Sequence, residues 1–420
     1  MRPYRTAVRS MVVGKASPRD CRAETATMKF LLLNTDYPDF LDWLYGSNPG
    51  LEQEPYAAQM KARNESLFGT ADFYSRNLRA LGHEAWDIHV NNEDMQRAWA
   101  REHAKVPHEP PAIAKASRHW LQRTRQWAVR TPLRHLKPLF RSTLRSLGAP
   151  PSWFYGILGE QIRHYRPDVV LNHDPGGISH QFLKEMRSCF RLLVAQIASP
   201  IPSHVDFGGY DLVLSSLPNF VNHFRDMGAR AGLLRFAFEP PVLDHLAESA
   251  EKLDVSFVGS LSLAHVDRIE LLERLCGNTD AHVWGPGVEE LPVDSFVRKR
   301  YHGPAWGREM YQILFSSRMT LNHHIGIAGP YANNMRLFEA TGVETLLVTD
   351  WKDNLADMFE PGKEVITYRS TDECIEAVRF YLDHEEERKC IARAGQQRTL
   401  GDHTYQQRMG ELVDIVTNCL

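Results

Sequence analysis

Short, continuous apolar runs alternate along this chain with longer segments in which apolar residues recur at helical spacing. Such a run is typical of a strand buried on both faces, and its alternation with helices predicts parallel sheets with crossover helices. With 420 residues, the chain is too long for one ordinary core and fits two domains. The fold class predicted is therefore α/β, with two Rossmann-like domains facing across a cleft. The predicted strands form two series, 29–34, 85–90, 168–172, 191–198, 211–215 and 232–236, then 254–258, 281–284, 318–322, 345–349 and 364–367.

Two adjacent prolines, Pro240 and Pro241, separate the two series, because proline resists continuing either a helix or a strand. We expect an N-terminal Rossmann-like domain over residues 28–237 and a C-terminal Rossmann-like domain over residues 238–385. Helices over residues 386–420 are expected to pack back across the domains. Residues 1–27 begin with basic residues and lack the apolar region of a secretion signal, so we expect a disordered extension there.

Two short patterns near the C-terminus predict helix starts. Ser370 is followed by Glu373, and Thr404 is followed by Gln407, at the spacing of a capping box. In this motif the hydroxyl and the longer side chain satisfy each other's free backbone N–H groups. We therefore expect helices to begin after Ser370 and after Thr404.

A basic, aromatic segment interrupts the N-terminal series at about residues 93–150, where Lys and Arg far outnumber acidic residues. Pro132 and Pro138 divide it into short helices. One interpretation is that the segment lies on an anionic membrane surface or docks a polyanionic acceptor. The other is a helical insert in the first domain, with tryptophans packed inward and arginines in solvent. Its large aromatic residues include Trp99, Trp120, Trp127 and Phe140.

The composition argues against several classes of protein. A formal net charge of -3 argues against binding nucleic acid over the whole surface. No apolar run is long enough to span a bilayer, and the six cysteines stand far apart without a CxxC pair. Reduced thiols fit this pattern better than disulfides or a zinc site. We therefore expect a cytoplasmic protein, with peripheral contact at the inner face of the membrane if the basic segment binds lipid.

The most informative stretch is residues 320–350. A strand ends near Asn322, a loop with two glycines follows, and Asn333 or Asn334 can cap the next helix. A helix start after such a loop offers free N–H groups and a positive dipole end, which suits a diphosphate. Arg336 places a cation in the first turn, where the helix dipole disfavours it. This local conflict indicates that Arg336 serves an anionic ligand.

Glu339 places a carboxylate on a mostly apolar face of the same helix, beside Phe338. A buried carboxylate needs partners, because burial without them costs free energy. The two hydroxyls of a ribose would supply those partners, and so would an ion pair with Arg336 one turn away. The residues alone leave both possibilities open.

Several ordered motifs in the second half resemble one family. The run Asn-Met-Arg-Leu-Phe-Glu-Ala at residues 334–340 resembles the signature of the CgeB-like, spore-maturation-type glycosyltransferases, and so does Phe-Glu-Pro-Gly-Lys-Glu-Val-Ile-Thr-Tyr at residues 359–368. The resemblance covers residues 254–420 well and the first half only through general architecture. It continues through Glu386-Glu387-Arg388, Ile391-Ala392, Gly395 and His403-Thr404-Tyr405.

This resemblance implies the GT-B fold, with a nucleotide-sugar on the C-terminal domain. By the same analogy, Glu339 would bind the donor ribose and the loop before it would hold the diphosphate. The implied partners are the nucleotide-sugar donor and an acceptor that is a glycan, a lipid or a small molecule. No nucleic acid and no separate cofactor are expected, since the nucleotide-sugar is itself a substrate. The chain has no DxD motif. The adjacent residues His323 and His324 are also poor candidates for a metal site, because neighbouring side chains rarely point at the same ion. Metal-independent transfer is therefore expected.

One departure from the family pattern concerns Tyr331. Many retaining GT-B enzymes carry two glutamates eight positions apart in this region, and Tyr331 stands where the first would be. Its contact with the donor sugar is absent here or is replaced by Asn333 or Asn334. The choice between retaining and inverting chemistry therefore stays open.

Further candidates for the donor site follow the strands of the second series. Gly259 and Ser260 end the first of these strands, where glycine allows close approach of a phosphate. Arg268 lies in the next helix and could reach the same ligand, and Gly285 lies in a second turn at a strand end. The alternatives are ordinary structural turns at both glycines and a solvated helix residue at Arg268.

On the acceptor side, His173 and Asp174 follow a buried strand of the first series. A histidine next to a carboxylate can act as the general base for an acceptor hydroxyl. An inverting transfer needs such a base, whereas a retaining front-face mechanism does not. The alternative is that His173 only stabilises its loop.

Three functions therefore stay under consideration. Metal-independent glycosyl transfer is preferred. A catalytically silent relative that binds a nucleotide or glycan is the second, and a nucleotide-sugar epimerase is the third. A dehydrogenase is disfavoured because no GxGxxG sequence follows the first strand.

Overall fold

A computed structural model of the chain describes residues 27–105, 152–247, 253–262 and 266–420. The predicted extension over residues 1–27 lies outside this part except for its last residue. Most of the basic segment, including Trp120, Trp127 and Phe140, also lies outside it. The predictions made for those residues therefore stay predictions.

The N-terminal half of the described chain forms a parallel sheet of six strands in the order β2-β1-β3-β4-β5-β6. The strand order reverses between β1 and β3. From β1 the chain continues to β2 on one side of the sheet, and from β3 it continues to β4 on the other side. The strands are β1 (Lys29–Asn34), β2 (Glu84–His89), β3 (Val169–Asn172), β4 (Leu192–Gln196), β5 (Leu212–Ser215) and β6 (Ala231–Leu233).

Helices flank this sheet because its central strands are apolar on both faces and must be covered. Within β1, Leu31, Leu32 and Leu33 are all fully buried. The helices of this half are α1 (Pro38–Ser47), α2 (Tyr56–Glu65), α3 (Phe73–Ala80), α4 (Glu93–Glu102), α5 (Ser152–Tyr165), α6 (His180–Glu185) and α7 (Pro218–Asp226).

The C-terminal half of the described chain forms a second parallel sheet of five strands in the order β11-β10-β9-β7-β8. Its order reverses between β7 and β9. The strands are β7 (Leu253–Val258), β8 (Ala281–Trp284), β9 (Ser317–Asn322), β10 (Leu346–Asp350) and β11 (Ile366–Tyr368). The helices are α8 (Val266–Asn278), α9 (Phe296–Lys299), α10 (Arg308–Phe315), α11 (Arg336–Gly342), α12 (Thr371–Asp383), α13 (Glu385–Asp402) and α14 (Tyr405–Thr417).

This architecture confirms the predicted fold class of two Rossmann-like α/β halves. Each of the predicted strands has a counterpart, with ends shifted by a few residues. Strand ends are poorly determined by sequence pattern, because pairing with the neighbouring strand decides them. The predicted domain boundaries stay predictions.

The segment between the two sheets is anchored to both halves. The ring of Phe238 packs on Gly342 at the end of α11, where a Cβ atom would lie 2.4 Å from the ring. The Phe238 N–H donates to the carbonyl oxygen of His403 at 2.9 Å, and the Tyr405 N–H donates to the carbonyl oxygen of Phe238 at 3.0 Å. The start of α14 therefore lies against the linker.

The last helix reaches the first half of the molecule. Tyr405 packs on two aromatic residues of α3, with its ring centroid 5.3 Å from that of Phe73 and 5.5 Å from that of Tyr74. α13, in contrast, packs on α11 and β10 of the second half. The C-terminal helices thus join the two halves through buried aromatic contacts, which contribute beyond their area of burial.

The two predicted helix caps differ in detail. Thr404 and Gln407 form the complete capping box. The hydroxyl of Ser370 accepts from the Glu373 N–H, but the Glu373 carboxylate accepts from the N–H of Arg369 instead of that of Ser370. Both helices begin where the pattern predicts. No helix in the described ranges is long and apolar enough to cross a membrane.

Candidate functional site

The carboxyl ends of β7 and β9 meet where the order of the second sheet reverses. In open α/β sheets such a point leaves a crevice, and ligands bind there. Three loops surround it, at residues 259–262, 285–287 and 323–335. The candidate donor residues therefore lie in or beside one crevice.

Arg268, in α8, bridges the two sides of this reversal point. Its Nη1 donates to the carbonyl oxygen of Ser260 at 3.2 Å, and its Nη2 donates to that of His323 at 2.8 Å. Its Nε is buried and makes no hydrogen bond within the described residues. No carboxylate of the described chain lies within 4.0 Å of the guanidinium. The guanidinium also lies over the ring of Phe257, 5.8 Å from its centroid. Arg268 is therefore a cation that donates only to carbonyl oxygens among the described residues and has no carboxylate partner there.

Arg336, in the first turn of α11, lies close to the end of β7. Its Nη2 donates to the carbonyl oxygen of Val258 at 3.0 Å. Burial lowers the pKa of Arg268, Tyr368 and Asp350 oppose that fall, and the charge of Arg336 adds to it. A guanidinium nevertheless stays protonated at neutral pH. Arg336 has a carboxylate partner in Glu339, so Arg268 is the cation that an anionic ligand at this strand end would stabilise.

Glu339 takes the ion-pair alternative in this structure. Its Oε2 lies 2.9 Å from Nη1 of Arg336, and the two side chains are 7% and 13% exposed. Burial raises the pKa of Glu339, and the charge of Arg336 opposes that rise. The pair shows that a buried carboxylate and a cation are already in place beside the crevice.

Asn334 precedes Met335, the N-cap residue of α11, and its side chain accepts from an N–H of the first helical turn. Its Oδ1 accepts from the Leu337 N–H at 3.3 Å, and its Nδ2 donates to Oδ1 of Asn322 at 2.6 Å. The side chain of Asn334 thus ties the helix start to the end of β9. Asn333 is half-buried in the same loop. Because the Asn334 side chain is occupied, a role for it in binding the donor sugar would require it to exchange these bonds.

Gly285 and Gly259 are placed where two strand-end loops touch. Gly285 has a φ of +140°, and a Cβ there would lie 1.8 Å from the carbonyl oxygen of Gly259. The Gly259 N–H donates to the carbonyl oxygen of Trp284 at 3.0 Å. Glycine at position 285 is therefore required by both backbone conformation and space. At Gly259 a Cβ would meet the ring of Phe257 at 2.9 Å.

The sequence analysis missed a cluster at the ends of β9 and β10. Asp350 accepts from the backbone N–H of His324 at 3.0 Å and from its Nδ1 at 2.7 Å, and Nζ of Lys352 lies 3.2 Å from its other oxygen. Burial by itself would raise the pKa of Asp350, but His324, His323 and Lys352 hold it well below its usual range. The signal available in the sequence was a carboxylate, Asp350, and a pair of histidines, His323 and His324, each directly after a predicted strand.

The two adjacent histidines have different partners. His324 faces Asp350, whereas Nδ1 of His323 lies 3.1 Å from the hydroxyl of Tyr368. That hydroxyl donates to the carbonyl oxygen of Asn322 at 2.8 Å. In the described part of the chain, no group of three or more His, Cys, Asp or Glu residues is arranged to hold a metal ion.

At the carboxyl edge of the first sheet, His173 and Asp174 are bonded to different residues. Nδ1 of His173 lies 2.6 Å from Oδ1 of Asn34. Asp174 accepts from the hydroxyl of Thr35 at 2.7 Å and from the Gly177 N–H at 2.9 Å. Asp174 therefore stabilises the loop and does not orient His173. Their predicted catalytic roles have not been tested.

A second buried cluster at this edge surrounds Asp36, which follows β1. Nη2 of Arg63 lies 2.7 Å from one carboxylate oxygen, and Nδ1 of His89 lies 2.9 Å from the other. Burial by itself would raise the pKa of Asp36, but the charges and hydrogen bonds of His89 and Arg63 hold it well below its usual range. Sequence gave no reason to pair these residues, because they lie on different elements.

The loop after β9 extends to the first half of the molecule. Ala328 is buried in the apolar cluster that contains Leu33 and Ile178, and Tyr331 packs against that cluster. Tyr331, at the position of the missing glutamate, therefore packs against apolar residues of the other half. Nearby, the Arg308 N–H donates to the carbonyl oxygen of Ser66 at 2.7 Å. These contacts hold the two carboxyl edges near each other.

Comparison with known proteins identifies this fold. Residues 267–414 match the model of a family described as glycosyl transferase-like. The Anabaena protein Alr3699/HepE, solved in complex with UDP-glucose, superposes with a TM-score of 0.57 at 11% identity, covering 93% of this chain and 100% of that one. The fold is that of GT-B glycosyltransferases.

Two other GT-B-like structures agree. A glycosyltransferase from Rickettsia africae has a TM-score of 0.54 at 10% identity, over 94% of this chain and 99% of that one. AviGT4, a glycosyltransferase involved in avilamycin A biosynthesis, has a TM-score of 0.50 at 15% identity, over 93% and 98%. No curated protein sequence matches this chain. At such identities the likeness shows the GT-B fold and no specific activity.

Proposed function

We propose that this protein is a CgeB-like glycosyltransferase that moves a sugar from a nucleotide-sugar to an acceptor hydroxyl. The observation that carries the proposal is the pair Arg268 and Arg336 at the end of β7. Among the described residues, Arg268 donates hydrogen bonds only to carbonyl oxygens, and its buried Nε makes none. A diphosphate would supply the missing negative charge, and guanidinium groups suit phosphate oxygens.

The donor would lie along the crevice of the second sheet. Arg268 and Arg336 would bind the diphosphate, with Gly259, Ser260 and Gly285 allowing its close approach. Asn333 and Asn334 would lie near the donor sugar. Glu339 would bind the ribose hydroxyls after loosening its 2.9 Å ion pair with Arg336. The HepE structure in complex with UDP-glucose supports a nucleotide-sugar as the ligand class for this fold.

The transfer itself would take place between the two carboxyl edges. His173 would accept the proton of the acceptor hydroxyl as its oxygen bonds to the anomeric carbon of the donor. The bond from that carbon to the diphosphate would break, and the nucleoside diphosphate would leave with the electron pair. Leaving-group charge would be stabilised by the two arginines without a metal ion. Contact between the halves would limit hydrolysis of the donor by water.

The acceptor is proposed to be a glycan, a lipid or a small molecule. The protein is proposed to act in the cytoplasm, with peripheral membrane contact through the basic segment. Among the described residues, the first domain ends its strands in neutral and acidic side chains such as Asn34, Asn172 and Asp174. Such groups suit a hydroxyl-bearing acceptor better than a second phosphate.

A second candidate is a catalytically silent binder of nucleotide or glycan. Tyr331 favours it, because it stands where many retaining relatives carry a glutamate and packs against the first half instead. The ion pair between Glu339 and Arg336 also gives Glu339 a structural role without a ligand. This candidate predicts nucleotide binding without turnover.

A thermal-shift and calorimetry panel with UDP, GDP, dTDP and ADP, each free and as its glucose conjugate, tests the proposal. We expect one nucleotide to raise the Tm, and Glu339→Gln to weaken its binding about tenfold or more, since a lost hydrogen bond between charged groups and ligand costs about 1.5–3 kcal/mol. The matched control is Glu376→Gln, an exposed carboxylate on α12 of the same half.

The outcomes separate the candidates. Release of free nucleotide that depends on an added acceptor supports transfer. Binding without release supports the silent binder, and conversion of the donor sugar without acceptor indicates an epimerase. If no nucleotide binds, or if Glu339→Gln binds as tightly as the control, the proposed donor site is wrong.

A further inference from the structure

We propose that Asn34 and Asp87 are positioning residues that hold the ring of His173 with its proton on Nδ1, so that the lone pair of the neutral ring is on Nε2. This inference rests on the proposed function for its catalytic meaning. It concerns residues that neither the family motifs nor the comparisons single out. Its physical content, the form of one imidazole ring, can be measured without a substrate.

The three residues lie side by side because of the strand order. β1 runs between β2 and β3, with Leu33 opposite Asn172 on one side and Leu32 opposite Asp87 on the other. Asn34 ends β1, and its side chain contacts Asp87 of β2 and His173, the residue that follows β3. Its Nδ2 donates to Oδ1 of Asp87 at 3.2 Å, and its Oδ1 lies 2.6 Å from Nδ1 of His173.

The direction of these hydrogen bonds follows from the carboxylate. The amide nitrogen of Asn34 faces Asp87, and this orientation is the one that an ionised Asp87 requires, because an ionised carboxylate only accepts. The amide oxygen must then face His173. An oxygen cannot donate, so the proton between the two must belong to Nδ1. In a neutral imidazole the other nitrogen then carries the lone pair.

The charged and polar groups around Asp87 and His173 agree with this direction of the hydrogen bonds. Burial raises the pKa of Asp87, while the hydrogen bond from Ser75 and the charges of His89 and Arg63 oppose that rise. Burial lowers the pKa of His173 to about 4, with a hydrogen bond to Gln196 opposing and the charge of His89 adding. His173 is therefore neutral near pH 7, and its two neutral forms differ only in which nitrogen carries the proton.

The Nε2 side of the ring is not fixed in the same way. Nε2 of His173 and Oε1 of Gln196 are both buried without a well-formed hydrogen bond in the described structure. Gln196 donates through its amide nitrogen to the hydroxyl of Tyr74 at 2.9 Å. A hydroxyl both donates and accepts, so Gln196 can turn its amide over at little cost. Only the Asn34 side is fixed by a charge.

Nitrogen-15 spectra of protein labelled at the histidine rings test the inference, with the His173 signals assigned by their loss in His173→Gln. We expect the Nδ1–H form in the native protein at pH 7. Asp87→Asn should raise the share of the Nε2–H form at least several-fold, because an amide at position 87 no longer dictates the orientation of Asn34. The matched control is Asp174→Asn, which removes a neighbouring carboxylate that does not contact the ring.

A second variant covers the case in which Asp87→Asn does not fold. Asn34→Asp keeps an acceptor oxygen next to Nδ1 and adds a charge, so it should keep the Nδ1–H form and raise the pKa of His173. An Nε2–H form in the native protein would overturn the inference. So would unchanged spectra in Asp87→Asn, or a pKa of His173 that does not rise in Asn34→Asp.

Activity gives a separate readout. Once a donor and an acceptor are known, Asp87→Asn should lower kcat about tenfold or more with little change in the KM for the donor, since a misplaced base proton affects proton transfer and not donor binding. Equal loss in kcat and donor affinity would instead indicate general distortion and contradict a positioning role. If no nucleotide binds, the proposed function fails while the ring spectra still decide the inference.

Discussion

Arg63 and Arg268, one arginine from each of the two carboxyl edges of this molecule, have opposite kinds of partner. At the first edge, Arg63 is 5% exposed and lies 2.7 Å from a carboxylate oxygen of Asp36. At the second edge, Arg268 has no carboxylate within 4.0 Å among the described residues and is held by two carbonyl oxygens. The first edge neutralises its cation internally. The second edge leaves positive charge for a ligand.

This difference separates stability from binding. A buried ion pair is satisfied within the fold, so breaking it leaves an uncompensated charge and destabilises the protein. A cation without a counterion contributes little to folding but attracts an anion. We therefore expect substitutions at the first edge to affect unfolding and those at the second edge to affect nucleotide affinity.

The largest effect is expected for Asp36→Asn. It leaves the charge of Arg63 buried without its counterion, which should lower the free energy of unfolding at pH 7 by about 3 kcal/mol. Urea unfolding measures this, with Asp39→Asn, an exposed aspartate in α1, as the control. Nucleotide affinity should stay within about twofold.

The pH dependence of this effect has a definite sign. The folded-state pKa of Asp36 lies below its usual value, so its ionisation stabilises the fold at pH values above about 4. That contribution is lost as the pH falls through the folded-state pKa. The difference between the native protein and Asp36→Asn should therefore shrink below about pH 4. A constant difference would show that packing, and not charge, causes it.

An intermediate effect is expected for Arg268→Ala. Losing its charged hydrogen bonds should weaken nucleoside diphosphate binding by about 10- to 100-fold, equivalent to about 1.5–3 kcal/mol. The Tm without ligand should change little. Calorimetry compares it with Arg274→Ala, an exposed arginine on the same helix that pairs with Asp372. A large fall in Tm with unchanged affinity would reverse the comparison between the two edges.

The smallest effect concerns Glu239, in the linker between the halves. Its Oε2 accepts from Nδ2 of Asn77 at 2.7 Å, but Nε of Arg76 lies 3.6 Å from its other oxygen. Burial raises the pKa of Glu239 to about 7, with Arg76 and Asn77 opposing. Because the folded-state pKa is raised, its contribution to stability is present at low pH and is lost as the pH rises towards and past 7.

Glu239→Gln removes this ionisation. Relative to the native protein, the variant should gain about 1 kcal/mol in free energy of unfolding between pH 5 and pH 6. Unfolding at both pH values measures it, with Glu270→Gln, an exposed glutamate on α8, as the control. Parallel curves for the two proteins would show that Glu239 is ionised throughout, as Asp36 is.

Much of the fold was predictable because its signals are local. The two series of apolar runs gave the strands, and hydroxyl residues at the right spacing gave the starts of α12 and α14. The candidate donor residues could be named because polar residues after buried strands lie at the carboxyl edge of a parallel sheet.

The pairings at that edge were not predictable. Glu339 had two plausible partners, and only the structure shows it beside Arg336. His173 was expected to act with its neighbour Asp174, but Asn34 contacts it instead. The cluster around Asp350 and the pairing of Asp36 with Arg63 were not anticipated.

The sequence by itself determined which segments become strands and helices and that they form two parallel sheets, since burial on both faces and helical periodicity are properties of each segment. Tertiary structure decided which strand ends are neighbours. Asn34, Asp87 and His173 meet because β1 lies between β2 and β3. Strand order depends on how the crossover helices pack, which no single segment specifies, and it decides which side chains share protons and charge.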